Sequence, residues 1–303
     1  MAVSLDPVVT GLLASWRRSL VAAGKSPRTL EGYLGTAEQF TRWCAENRRP
    51  TDPTEQHRAD VEEFIEHLLA TKACGTAALR FRNLRAWFRW LVDEQEIPAS
   101  PMAGMRQPTI DAKPVPVLSD DQLTALLDTV RKATDFAGRR DHAILRLLID
   151  TGMRRGELAA LAVVDVDLDY SVVIVQKSKT YQGRLVPVGA RTAEALDRYL
   201  RARTRHRLHD LPALWLGQRG PLSGEGVRQM ILARAKQAGV EGVFVHQFRH
   251  SFAHRWLSAG GQEQDAAAIA GWSSTTTLAR YGVSAASERA RQAHKRMALG
   301  EKL

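Results

Sequence analysis

Apolar residues recur at helical spacing along most of the first hundred positions. Within Leu12–Leu91, Ser26 followed by Pro27 is a typical helix start, with a capping hydroxyl and then proline at the first helical position. The spacing of apolar residues predicts further helices over about Ala59–Thr71 and after Gly75. This part of the chain is therefore predicted to form a helical bundle.

Prolines interrupt the helical pattern after the bundle. The stretch Ile97–Leu118 contains five prolines and shows no helical periodicity, which is typical of a linker. We place the linker itself at residues 106–117. It separates a first domain at residues 1–105 from a second domain at residues 118–303.

The second domain mixes two periodicities. It opens with the capping box Ser119-Asp120-Asp121-Gln122, and a helix is predicted over about Arg139–Thr151. Three β-branched runs then predict a small antiparallel sheet: Ala162–Leu168, Val172–Val175 and Arg184–Val188. Further helices are predicted at about 191–205, 226–238, 246–259, 263–270 and 287–299. The predicted fold is mainly α, an N-terminal helical bundle plus a helical domain with a small antiparallel β-sheet.

Composition adds a charge preference to this picture. The 303 residues carry a formal net charge of +10, which favours a polyanionic partner. Residues 1–110 hold 14 Lys+Arg against 13 Asp+Glu, so the positive surplus lies in the second domain. The N-terminus lacks a signal-peptide pattern, no apolar run approaches the ~20 residues of a membrane span, and two cysteines are too few for a disulfide framework. We expect a cytoplasmic protein.

Four short clusters in the second domain contain residues that could carry chemistry. They are Thr151–Leu158, which includes Arg154 and Glu157; Lys177-Ser178-Lys179-Thr180; His246-Gln247-Phe248-Arg249-His250; and Gly271-Trp272, followed nine positions later by Tyr281. Taken singly, each has an ordinary alternative, because most arginines and lysines are solvated and most tryptophans pack in cores.

The histidines of the third cluster also suggest a metal site. His246, His250 and His254 recur every four residues, on one face of a predicted helix. However, Gln247 stands where the His-Glu-x-x-His motif has its glutamate, and no cysteine or acidic cluster nearby offers a further ligand. We expect no metal, with a zinc-dependent hydrolase as the less favoured alternative.

The order and spacing of the four clusters resemble the tyrosine recombinase family, also called the phage integrase family. The resemblance covers about residues 118–295, and the N-terminal bundle looks like the family's core-binding, SAM-like domain. It implies an enzyme that cleaves and rejoins DNA through a 3′-phosphotyrosyl bond at Tyr281, without metal, ATP or another cofactor. The alternative within the family is a DNA-binding protein that has kept the fold and lost catalysis.

The resemblance assigns the charged residues to the phosphate and the leaving group. Arg154 and Arg249 would bind the attacked phosphate, since a guanidinium is permanently charged and binds phosphate through two parallel hydrogen bonds. Lys179 would donate the proton that the leaving 5′-oxygen needs. Lys177 competes for that role, and is otherwise a candidate DNA contact.

The resemblance assigns the remaining residues to proton transfer and support. A tyrosine has a pKa near 10, so attack by Tyr281 near neutral pH needs a base or a strongly positive site. His246 is expected to be the proton acceptor or a hydrogen-bond partner of the phosphate. His250 would support the site, and Glu157 would either orient the neighbouring arginine or cap the next helix. Trp272 stands where the commonest family pattern has histidine; its indole donates one hydrogen bond and accepts no proton.

A basic stripe on the first domain is a candidate DNA contact. Arg82, Arg85 and Arg89 share one face of a predicted helix beside Trp87 and Trp90. The same pattern is normal for the solvated face of an amphipathic helix, and that alternative stays open.

The family resemblance also implies an assembly. The two domains would close as a clamp around duplex DNA, with two protomers on each recombination site and four in the synaptic complex. The last predicted helix would pack on a neighbouring protomer or on its own, and a partner recombinase or directionality factor is left open. Because the chain starts directly at the bundle, a simple Xer-like or mobile-element recombinase, nucleoid-associated in the cytoplasm, is expected.

Overall fold

The computed structural model describes residues 6–109, 116–176, 183–272 and 294. It divides the chain into two units, Met1–Ala112 and Lys113–Leu303. Each unit is built mainly from helices. None of the described helices is long and apolar enough to cross a membrane.

The first unit is a helical bundle, as its apolar spacing predicts. Its helices are α1 (Pro7–Ala22), α2 (Pro27–Glu46), α3 (Arg58–Thr71) and α4 (Cys74–Asp93). Local caps set where α1 and α2 begin: the side chains of Asp6 and Ser26 accept hydrogen bonds from the backbone N–H groups of Val8 and Thr29. In both helices proline follows the cap, where its missing N–H costs nothing.

Aromatic rings fill the interior of the first unit. The ring centroids of Trp16 and Trp87 lie 4.9 Å apart, and those of Phe40 and Phe64 lie 5.2 Å apart. The chain beyond α4 also belongs to this core, because Ile97, Met102 and Met105 are buried against it. The first part of the proline-rich stretch is therefore packed structure.

The second unit surrounds a three-stranded sheet with helices. Its elements in chain order are α5 (Asp120–Asp128), α6 (Phe136–Thr151), α7 (Arg155–Ala160), β1 (Val166–Asp167), β2 (Val172–Val175), β3 (Arg184–Pro187), α8 (Ala190–Arg203), α9 (Gly224–Gln237), α10 (Val245–Ser258) and α11 (Glu263–Ala270). The sheet has the antiparallel order β1-β2-β3, with Val173 of β2 between Val166 and Val186. Buried Val173 and Val186 join the core that α6 and α8 share.

One predicted strand is much shorter than its β-branched pattern suggests. The prediction of a strand over Ala162–Leu168 is wrong at its start, where Val163–Asp165 is a turn of 3₁₀ helix. The carboxylate of Asp165 accepts hydrogen bonds from the backbone N–H of Ala162 at 2.8 Å and from the amide of Gln176 at 2.5 Å. A short side chain that bonds to nearby backbone competes with the sheet ladder, and here it outweighs β propensity.

A short helix that the periodicity did not predict leads into this turn. α7 is six residues long, below the length at which apolar periodicity can be recognised. Tertiary contacts hold it: the indole N–H of buried Trp215 donates to the backbone carbonyl of Leu158 at 2.8 Å. The last predicted helix, at about 287–299, falls almost wholly outside the described residues.

Candidate active site

The first candidate arginine follows the point where α6 meets α10. α6 ends at Gly152, whose φ of +58° lies in the left-handed region that favours glycine. A Cβ at this position would lie 2.7 Å from the ring of Phe252 on α10. Only glycine allows both the turn and this close approach, and the turn places Arg154 directly before α7.

Glu157 holds Arg154 in two ways. Its Oε2 accepts the backbone N–H of Arg154 at 3.0 Å, which caps α7, and its Oε1 accepts the Arg154 Nη1–H at 2.7 Å. Both alternatives predicted for Glu157, orienting the arginine and capping the helix, occur together. The Arg154 side chain remains 40% exposed, whereas the Glu157 side chain is 4% exposed, so the guanidinium can still reach a ligand in solvent.

A second arginine, Arg184 on β3, also binds Glu157. Its Nη2–H donates to Glu157 Oε2 at 2.6 Å and its Nε–H donates to the carbonyl of Ile269 at 2.8 Å. Burial raises the pKa of Glu157, but hydrogen bonds from Arg184 and then from Arg154 outweigh it, so the pKa lies below its ordinary value. The carboxylate is therefore charged at neutral pH.

Sequence reasoning treated Arg184 only as the start of a strand, and did not include it in the site. A signal was present in the register. Side chains two positions apart on a strand share a face, and Val186, two positions after Arg184, is buried in the core. An arginine on the buried face of a strand needs a partner, which is a reason to search for a carboxylate near it.

Arg249 lies in the centre of the described site. It is 2% exposed, and its Nη1–H groups donate to the carbonyl of Gly152 at 2.9 Å and to the carbonyl of Ala270. Its guanidinium carbon lies 4.1 Å from the ring centroid of Trp272. Arg249 thus connects the end of α6 to the end of α11, with Trp272 packed against its flat face as a cation–π pair.

The two histidines of α10 form an edge-to-face pair. Their ring centroids are 4.7 Å apart with an interplanar angle of 89°; His246 is exposed and His250 is buried. Burial, His246 and Arg249 lower the pKa of His250 to about 4. Although the His246 residue is exposed, protein atoms displace part of the water around its ring, and this desolvation, then Arg249 and Arg154, lower its pKa as well. Both rings are therefore neutral near pH 7, and His246 can accept a proton.

The structure brings together six of the twelve predicted site residues. These six are in direct contact with one another or lower the pKa of a neighbouring histidine through their charge: Arg154, Glu157, His246, Arg249, His250 and Trp272. Three others lie outside the described residues: Lys177, Lys179 and Tyr281.

The predicted basic stripe lies on α4 of the first unit. Arg82, Arg85 and Arg89 are all exposed. The Arg85 guanidinium donates to the carbonyl of Met105 at 2.6 Å and lies over the ring of Phe81, and Arg89 is 3.8 Å from a carboxylate oxygen of Asp93. Two of the three arginines therefore already have local partners, and their role as DNA contacts stays a prediction.

The zinc alternative gains no support from the described part of the chain. There, no group of three or more histidine, cysteine, aspartate or glutamate side chains is arranged to hold a metal ion. His254, the third member of the predicted row, lines a cavity together with Ser119 and Asp120, whereas His246 and His250 pack against each other.

Fixed guanidinium groups beside a neutral imidazole are suited to phosphoryl transfer, in which negative charge on the phosphate must be stabilised while a proton is removed. Two family models match this chain. Residues 116–288 match the phage integrase family, and residues 12–97 match the phage integrase N-terminal SAM-like domain. The chain belongs to the phage integrase family, the tyrosine recombinases.

Individual relatives agree with this assignment. Tyrosine recombinase XerC 2 of Ralstonia nicotianae is 31% identical over 293 residues, which cover 92% of this chain and 84% of the relative. Tyrosine recombinase XerD of Bifidobacterium longum is 28% identical over 273 residues, which cover 86% and 88% of the two chains. The prediction of a Xer-like tyrosine recombinase is confirmed.

Solved structures support the fold at lower identity. The Tn1549 transposon integrase in complex with transposon right end DNA superposes with a TM-score of 0.77, at 20% identity over 95% of this chain and 98% of that one. A lambda integrase dimer bound to a core site superposes with a TM-score of 0.71, at 18% identity over 90% and 94% of the chains. The predicted mainly α fold, a helical bundle followed by a helical domain with a small sheet, is confirmed.

Proposed function

We propose that this protein is a site-specific DNA recombinase that cleaves and rejoins duplex DNA through a 3′-phosphotyrosyl bond to Tyr281. The observation that carries the proposal is the meeting of Arg154, Arg249 and His246 where α6, α10 and α11 approach one another. Two cations and a neutral base at one point are what a tyrosine needs to attack a phosphodiester.

The two arginines would bind the phosphate in different ways. Arg249 is buried and held by two backbone carbonyls and the face of Trp272, so its charge is fixed before DNA binds. A charge that is already oriented stabilises the transition state without reorganisation. Arg154 is oriented by Glu157 but remains partly exposed, which leaves its planar fork available to two phosphate oxygens.

The proton transfers follow from the charge states. The Tyr281 oxygen forms a bond to phosphorus as its proton passes to neutral His246, and the bond from phosphorus to the 5′-oxygen breaks. Lys179 gives the leaving oxygen its proton, with Lys177 as the competing donor. Attack by another 5′-hydroxyl reverses these steps and restores the phosphodiester, so no external energy source is consumed.

The partner in this proposal is duplex DNA at a recombination site. It is supported by the family, by the net charge of +10, and by solved structures of similar fold that were determined in complex with DNA. We propose two protomers per site and four in the synaptic complex, acting on DNA in the nucleoid. The arginine stripe of α4 and Lys177 are the proposed contacts to the DNA backbone.

A nicked suicide substrate tests the proposal. Cleavage beside the nick releases a short fragment and traps the covalent adduct, which denaturing electrophoresis separates from free DNA. We expect an adduct with the native chain, unchanged in EDTA, and none with Tyr281→Phe. DNA binding without any adduct would instead identify a member of the family that has lost catalysis, and loss of DNA cleavage in EDTA would support the zinc hydrolase.

A further inference from the structure

We propose that Arg184 is a positioning residue of this site: it braces the carboxylate that orients Arg154 and, at the same time, the end of the helix that leads to Trp272. The inference rests on the proposed function for its catalytic consequence. Its structural basis, a single guanidinium that joins β3, α7 and α11, is independent of that function.

The Arg184 side chain lies where it can reach two segments that are far apart in the chain. Its side chain is 11% exposed, and besides Glu157 it donates to the backbone carbonyls of Ile269 at 2.8 Å and Ala270 at 3.2 Å. The next residue, Gly271, has a φ of +72°, and a Cβ there would lie 2.6 Å from Arg184 Nη1. The glycine before Trp272 therefore provides the space that the guanidinium occupies.

Glu157 shares its two oxygens between two arginines. Oε1 binds the Arg154 guanidinium, while Oε2 binds both Arg184 and the backbone N–H of Arg154. With Arg184 in place the carboxylate cannot rotate without breaking a charged hydrogen bond. Arg154 thus depends on Arg184 through Glu157, although the two guanidinium groups bind opposite oxygens of the carboxylate.

The carbonyl of Ala270 binds two cationic side chains. It accepts hydrogen bonds from both Arg184 and Arg249, at the carboxyl end of α11. The partial negative charge of a helix C-terminus stabilises cations there. Arg184 therefore fixes the same helix end that holds the buried phosphate-binding arginine, and it does so from the strand that directly follows the segment containing Lys179.

Lysine cannot reproduce this arrangement. The bonds to Glu157 and to two carbonyls use separate N–H groups of one planar fork, whereas a lysine offers a single nitrogen on a flexible stem. The charged groups hydrogen-bonded to Glu157 within the described residues are Arg154 and Arg184. Losing Arg184 removes one of the two charged side-chain bonds that keep the pKa of Glu157 low.

The test is a cycle of four proteins: the native chain, Arg184→Gln, Glu157→Gln and the double variant. Each single change is expected to slow formation of the covalent adduct by on the order of 100-fold, since small misplacement of a catalytic group costs about that much. The double variant should be no slower than the slower single variant, because both changes release Arg154. Additive losses would overturn the proposal.

The pH profile adds a readout that general destabilisation does not produce. In the native chain the acid limb of the cleavage rate is set by protonation of His246. In Arg184→Gln this limb should move to higher pH and steepen, because the pKa of Glu157 rises when its partner is lost and its protonation is added to that of His246. The shift should be absent in the double variant. Arg184→Lys keeps the charge beside Glu157 but not all three bonds, so its rate should lie between those of the native chain and Arg184→Gln. A native rate in Arg184→Lys would overturn the proposal, and this variant takes the place of Arg184→Gln in the cycle should the latter fail to fold.

A matched control is available in the same unit. Arg203 is also buried and donates to backbone carbonyls, including those of His209 at 2.9 Å and Ala213 at 2.8 Å, with no contact to Glu157. Arg203→Gln should lower the melting temperature and leave the acid limb unchanged. If Arg203→Gln moved the acid limb as much as Arg184→Gln, the positioning role would be excluded.

A measurement of stability separates this inference from the proposed function. Unfolding of the four cycle proteins between pH 7 and pH 4 tests whether Arg184 and Glu157 are coupled even when no DNA is cleaved. Coupling between Arg184 and Glu157 without any adduct from the native chain would refute the recombinase activity and leave the positioning role of Arg184 intact. An adduct from the native chain with no coupling in either measurement would refute only the positioning role.

Discussion

The interior of the first unit is filled by aromatic rings, whereas the second unit also buries several charged groups, and two of these, Glu157 and Arg249, lie in its site. Among the described residues of the first unit, Asp60 is the one buried charged residue, and it accepts the backbone N–H of His57 at the start of α3. In the second unit Glu157 and Arg249 are buried in the region that also contains the buried, neutral ring of His250.

This difference has an energetic meaning. Rings such as Phe40 and Phe64 stabilise a unit by leaving water, while a buried charge costs free energy unless it is paired and hydrogen-bonded. The second unit satisfies its buried charges by connecting them, as Arg249 is connected to Gly152 and Ala270. Charged groups held in this way contribute little stability but are well oriented to bind a phosphate. Substitutions in the site should therefore lower the cleavage rate, whereas substitutions among the aromatic rings of the first unit should lower the free energy of unfolding.

The largest effect is expected from the neutral histidine of the second unit. His246→Ala should reduce the rate of adduct formation by about 10²–10⁴-fold, because the proton of Tyr281 then has no positioned acceptor. Stability should hardly change, since His246 is exposed. Suicide-substrate cleavage measures the rate, with Tyr281→Phe as the blank. Near-normal cleavage would mean that another group accepts the proton.

The matching change in the first unit should do the reverse. Phe40 is completely buried against Phe64 and Phe88, so Phe40→Ala should lower the free energy of unfolding by about 3–5 kcal/mol. The cleavage rate per molecule of folded, DNA-bound protein should remain equal to that of the native chain. Chemical denaturation and single-turnover cleavage at saturating protein separate the two quantities, and a lost catalytic step in the folded variant would contradict the division between the units.

Two left-handed glycines extend the contrast between the units. Gly152→Ala should cost about 2–4 kcal/mol, because it adds a clash with Phe252 to the left-handed backbone strain. Gly24 in the first unit has a φ of +69°, and a Cβ added there would meet nothing within 4 Å, so Gly24→Ala should cost only about 1–2 kcal/mol. Equal losses of unfolding free energy in the two variants would show that Phe252 of α10 does not restrict the end of α6 sterically.

The buried histidine should make the second unit sensitive to acid. The pKa of His250 is about 4 in the folded chain against 6.5 ordinarily, so protons bind the unfolded chain more readily. Stability should fall as pH drops from about 6.5 to about 4, by up to about 3 kcal/mol. Denaturation of the native chain and of His250→Gln across this range measures the difference. A loss that persists in His250→Gln would assign it to other groups.

The smallest effect is expected at Trp272. A histidine there keeps a hydrogen-bond donor but presents a smaller face to Arg249, so Trp272→His should retain cleavage with a loss of about tenfold, the worth of one desolvated cation–π contact. Single-turnover cleavage measures it. Complete loss would show that the indole does more than pack and donate.

Much of the helical architecture could be predicted because its determinants are local. The side chain of Ser119 caps α5 by accepting the N–H of Gln122, three residues on, and Gln122 in turn accepts the N–H of Ser119. Such contacts depend on neighbours in the sequence, so helix boundaries agree to within a few residues. The prediction of a strand from Ala162 was wrong at its start, because the Asp165 carboxylate accepts the backbone N–H of Ala162 and this local hydrogen bond competes with the sheet.

Sequence pattern was sufficient for the helical bundle and the small sheet, and the order and spacing of four clusters predicted Arg154, His246 and Arg249, which the fold brings into one region. How those residues hold one another depends on the tertiary fold: Arg184 meets Ile269 across 85 positions, and Arg249 meets Gly152 across 97. The physical reason is range. Caps and periodicity act within a few residues, whereas a buried charge is stabilised by whichever carbonyls and carboxylates the completed fold places around it.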